Sequence, residues 1–131
     1  TTQLQVVAAI RYITNGTYLS IIKEMLQKEV AEELQPLKVR VEEMVKLYEQ
    51  VLNYVKEAQD QEMQDFLARR LYNITAETIM SLLILEDATR APELFAKSAN
   101  VYVRYAQANV LCDHSYIMNF IKEDLPSFRA E

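Results

Sequence analysis

The residues able to do chemistry are few in this sequence, and their spacing is wrong for it. His114 is the sole imidazole and Cys112 the sole thiol, and with Asp113 they form the run Cys-Asp-His. This has the composition of a nucleophile, an orienting carboxylate and a base. Consecutive side chains on a helix point about 100° apart, so three neighbours cannot act as a relay. Cys112 is therefore expected to be a buried, unreactive thiol. The acid pairs Glu86-Asp87 and Glu123-Asp124 invite a di-iron reading, but such a site in a helical bundle needs Glu-x-x-His on each of two helices. One His cannot supply both, and solvated helix ends account for the acids, so no metal is expected. A single Cys excludes a disulfide framework and thiolate zinc sites. A single Gly excludes the phosphate-cradling and dinucleotide turns, which need close backbone approach. No catalytic and no cofactor-binding residue can be assigned.

The elements that would position any site are helices. The chain has 131 residues and a mass of 15.2 kDa, one domain's worth. Half of it is hydrophobic and a quarter charged, which excludes both a disordered tail and a membrane span. Its net charge of −5, with no basic stripe, argues against nucleic acid, whose binding depends on Lys and Arg neutralising phosphate. The longest apolar runs, Val6–Ile10 and Leu82–Leu85, fall far short of the roughly 20 residues that cross a bilayer. No secretion signal is readable, and a lone Cys fits a reducing, cytoplasmic setting. The sequons Asn15-Gly16-Thr17 and Asn73-Ile74-Thr75 then occur by chance. The chain opens Thr1-Thr2 inside a helical pattern, and reads as a piece excised from something longer.

Periodicity predicts a short apolar helix over Leu4–Ile13, stopped by Thr14-Asn15-Gly16, where glycine suits a left-handed helix end. A second segment runs from about Thr17 to Leu34 with Leu19, Ile22, Leu26 and Val30 on one side, ending near Pro36, which fits the first turn of the next helix. From there Leu37, Val41, Met44, Tyr48, Val51 and Val55 alternate steps of four and three. Lys38, Glu42, Lys46, Glu49 and Lys56 form the wet side, with Glu42 and Lys46 spaced for an i, i+4 pair. Past the polar stretch Glu57–Gln61, Met63, Leu67, Leu71, Ile74, Thr78 and Leu85 mark a further seam reaching about Ala88. Arg90-Ala91-Pro92-Glu93 resets the chain for a last helix to about Lys122. The expected fold is all-α: an antiparallel four-helix bundle over 17–131, preceded by a short helix within 1–16 that continues from an upstream domain. The eight Tyr and four Phe are expected in its seams.

Two features of the long helices stand out. Ile79, Met80, Leu82, Leu83 and Ile84 leave the third main helix apolar on nearly every side, as suits a central helix or one covered by a partner, and they form a candidate interface. On the last helix Phe95, Ala99, Tyr102, Ala106, Asn109, Tyr116 and Ile117 define an apolar arc that includes Asp113, where an unpaired carboxylate would be costly. With an antiparallel return near Arg90, Asp113 comes level with Arg70 to within one helical turn. An inter-helix Arg70–Asp113 ion pair is expected; the alternative is an Asp that bends out to solvent. Glu77 is expected in an intrahelical or surface ion pair.

Leu67-Ala68-Arg69-Arg70, the run Ile79-Met80-Ser81-Leu82-Leu83-Ile84-Leu85 leading into Ala88-Thr89-Arg90, and Val110-Leu111-Cys112-Asp113 resemble the C-terminal helical extension of the larger acyl-CoA dehydrogenases. The resemblance covers roughly Phe66–Tyr116. It implies a parent flavoenzyme that uses FAD and a glutamate base to introduce an α,β double bond into a fatty acyl-CoA. The catalytic part would precede this segment, and the extension would contribute to dimer architecture. No Tyr-Glu-Gly stretch around a base is present, so no catalytic or flavin-binding residue carries over. The membrane-binding helix of mitochondrial members is not evident either, since a surface binder pairs an apolar stripe with a cationic face. The expected function is thus a non-catalytic domain packed against the rest of the flavoenzyme and a second copy. The alternative is a free-standing helical interaction module.

Overall fold

A computed structural model describes residues 10–129. Within it the chain is all-α. Residues 10–14 are helical and lead to Gly16, the sole glycine, at φ +86°. Helix α1 (Thr17–Leu26) follows, then a 3-10 turn (Glu32–Leu34), α2 (Gln35–Ala58), α3 (Gln61–Arg90), α4 (Pro92–Met118) and a closing 3-10 segment (Lys122–Phe128). The remainder of the helix expected over Leu4–Ile13 lies outside the described residues. Helices α2, α3 and α4 run alternately up and down and pack on one another, and the shorter α1 lies chiefly against α3.

The connections explain this topology. Gln59 adopts the left-handed conformation at φ 48°, and Asp60 caps α3 by accepting the Met63 amide at 2.8 Å, as an N-terminal carboxylate should. Ala91 alone separates α3 from α4. Its amide donates to the Asp87 carbonyl at 2.8 Å and its own carbonyl accepts from Leu94 and Phe95, so one residue both ends a helix and begins the next. Pro36 and Pro92 occupy the first turns of α2 and α4, where a missing amide proton costs nothing.

The heptad seam of α2 is buried as the spacing predicts, from Leu37 to Val55, and meets Met63, Leu67, Leu71 and Ile74 of α3. On α4 the buried line is Ala99, Val103, Ala106, Val110 and Ile117. The apolar arc expected there is thus rotated toward Val103 and Val110, and Phe95 lies at its exposed edge. Small side chains at 99 and 106 let α4 approach its neighbours closely.

Several expected details differ. The second segment stops at Leu26, not Leu34, because residues 27–31 are tied down by bonds no helix could make. The Ala31 amide donates to Thr89 Oγ1 at 3.3 Å, Gln35 Nε2 donates to the Val30 carbonyl at 2.9 Å, and Lys28 Nζ stands 3.3 Å from Glu86 Oε2. Helix α4 stops at Met118, four residues early, where Asn119 Nδ2 turns back onto the Ser115 carbonyl at 2.7 Å. Lys46 pairs with Glu43 at 3.4 Å and not with Glu42. The aromatics divide between the core and the surface, with Tyr18, Tyr54, Tyr102 and Tyr116 packed against the core. Tyr48 and Phe120 are buried, whereas Tyr12, Tyr72, Tyr105, Phe66, Phe95 and Phe128 are exposed. Phe66, Phe120 and Phe128 instead stack together at the far end, 5.0–6.1 Å between ring centroids, and the Arg129–Glu62 ion pair and the bond from the Tyr54 hydroxyl to the Phe120 carbonyl close that end.

Leu71 is fully buried where α3 meets the α2 seam. Leu71→Ala should lower unfolding stability by about 3 kcal/mol, read as a reduced urea midpoint with unchanged slope.

Candidate docking surface

Among the described residues, no three of His, Cys, Asp and Glu gather as a metal site would require. Cys112 and His114 part company as helical geometry demands. Cys112 is exposed, which corrects the expectation of a buried thiol: it falls opposite the Val103–Val110 line of α4. His114 Nε2 lies 2.8 Å from Gln50 Oε1 of α2, and partial burial holds its pKa below the usual imidazole value.

The α3–α4 interface carries a polar band. Arg70 Nη1 lies 2.8 Å from Asp113 Oδ1, with the Asp113 side chain only 13% exposed, and the guanidinium carbon sits 3.7 Å above the centroid of the Tyr116 ring. One cation thus satisfies a carboxylate along its edge and an aromatic face with its plane. Two turns on, Glu77 differs from expectation. It makes no ion pair among the described residues, and its Oε2 is buried without a hydrogen-bond partner. Desolvation raises its pKa, opposed by the Asn109 amide and reinforced by the negative charge of Asp113. Ser81, one turn further along the same side, is likewise buried with an unpartnered Oγ. The cause is geometric: Glu77 points at α4, where Asn109 and Asp113 offer it no cation.

The candidate interface run divides around the helix. Leu82 is 6% exposed and Leu85 1%, so both belong to this chain's own core, a correction for Leu82 as an interface residue. Met80 and Leu83 face outward, 51% and 41% exposed, while Ile79 and Ile84 are half-buried. With Tyr72 and Ala76, the outward residues form a stripe along α3. Beside α1 this stripe opens into a groove of about 230 Å³ lined by Ile13, Tyr18, Tyr72, Ala76, Ile79 and Met80. The sequence pattern shows apolarity on all sides of this run but not which residues the chain covers itself.

The motif Ala88-Thr89-Arg90 also acquires a role that its residue types did not announce. Ala88 is buried, the Thr89 hydroxyl donates to the Leu85 carbonyl and accepts the Ala31 amide, and Arg90 Nη2 pairs with Asp87 Oδ1 at 2.9 Å. It anchors the 27–31 loop and the α3 terminus. A Thr at the penultimate position of the helix is the only sequence signal for that contact.

Comparison with known proteins places this bundle. The family model described as "Acyl-CoA dehydrogenase C terminal" matches residues 14–125, and the chain belongs to that family. Its relatives include the acyl-CoA dehydrogenase family protein from Porphyromonas gingivalis, whose crystal structure superposes with a TM-score of 0.80 at 42% identity, over 86% of this chain and 97% of that one. No curated protein matches significantly. All three sequence stretches that carry the resemblance fall inside the matched region. No helix among the described residues is long and apolar enough to cross a membrane.

Asp113→Ala should cost about 1–2 kcal/mol, since it strands a half-exposed guanidinium rather than a buried one; a thermal melt unchanged from the parent would contradict the pair. Glu77→Gln should raise stability at pH 7 by a few tenths of a kcal/mol, after allowance for its partial exposure. The sign follows from the raised pKa: the native state binds the proton more tightly, so the cost appears as pH rises through the unfolded and then the folded pKa. The gain from Gln should therefore vanish in melts at pH values below the unfolded carboxyl pKa.

Proposed function

We propose that this chain is the accessory, non-catalytic helical domain of an FAD-dependent enzyme that oxidises fatty acyl-CoA. In this reading it packs beside the catalytic part, supports an arrangement of two copies, and acts in the cytoplasm. The family match over residues 14–125 carries the proposal. The outward stripe of α3 supports it, because large apolar side chains in register on one helix face gain stability when a partner covers them.

FAD is implied for the parent enzyme, and the donor set described here does not fit it. A dinucleotide's pyrophosphate calls for backbone amides at a glycine-rich turn or for cations. The α1–α3 groove is lined by apolar and hydroxyl side chains on helices, with no cation. The sole glycine, Gly16, has nothing within 4 Å of a Cβ built on it and so forms no cradle. No catalytic step is therefore assigned to this domain. Its contribution is packing.

Titration of the purified chain with FAD and with palmitoyl-CoA should give no saturable binding by fluorescence; saturable flavin binding would overturn the proposal. Replacing both Met80 and Leu83 with Asp should leave the melting temperature nearly unchanged, since both are surface positions, yet reduce co-purification with the catalytic part at least about tenfold, which is some 1.4 kcal/mol of association energy.

A further inference from the structure

We draw no further inference here: the strongest candidate, the exposed apolar face of α4 at Leu94, Val101 and Tyr105, is flanked by charges of both signs, Glu93 and Lys97 among them, and nothing in the structure shows what covers it.

Discussion

The one-residue turn at Ala91 is the constraint from which most of the structure follows. With no loop to absorb slack, α3 and α4 must return along each other in a fixed register, and residues equidistant from the turn are brought level. Arg70 and Asp113 lie 21 residues before and 22 after Ala91, a mismatch of about 1.5 Å along the axis. That offset is why a guanidinium can reach a carboxylate 43 residues away in sequence at 2.8 Å. On the same hairpin Glu77 faces Asn109 and feels the negative charge of Asp113, groups that cannot neutralise it. A satisfied and a frustrated carboxyl lie on one hairpin.

Around this hairpin the remaining elements add layers. Helix α2 closes the core with its heptad seam, and α1 covers part of α3. The 27–31 loop and the C-terminal 3-10 segment then secure the two ends by different means, the first through Thr89 and Glu86, the second through aromatic stacking and the Arg129–Glu62 pair. The interior is almost wholly apolar. Of its buried hydroxyls, those of Thr75 and Thr78 donate to carbonyls one turn back, at 2.7 Å in each case, while Ser81 Oγ has no partner. This helical bundle belongs to the acyl-CoA dehydrogenase C-terminal family.

The helices were legible because apolar periodicity is redundant: each seam of α2 and α3 repeats over many turns, so one ambiguous residue changes nothing. The Arg70–Asp113 contact could be anticipated from helix rise and the position of the Pro92 reset alone. Exposure was less legible. Cys112, Leu82 and Met80 sit in equally apolar surroundings in sequence, and only the rotation of each helix about its axis, fixed by tertiary packing, decides which one faces water. The early ends of α1 and α4 were missed for a related reason. Residues 27–31 could have continued the helix, but bonds to Thr89 and Gln35, remote or non-periodic, stabilise the extended form instead. The role of Glu77 was hidden as well, since its environment is made by another helix.

The brevity of the Ala91 turn also bears on how the chain reaches its fold. Loop-closure entropy grows with the length of chain that must be brought together, and no pair of long helices here has less of it to close than α3 and α4. Contacts near this turn join residues close in sequence, the class of contact that speeds folding. The hairpin is therefore the helix pair whose first contacts close the least chain. The aromatic cluster of Phe66, Phe120 and Phe128 brings together residues far apart in sequence at the opposite end, so closing it costs more chain entropy than the contacts beside the turn.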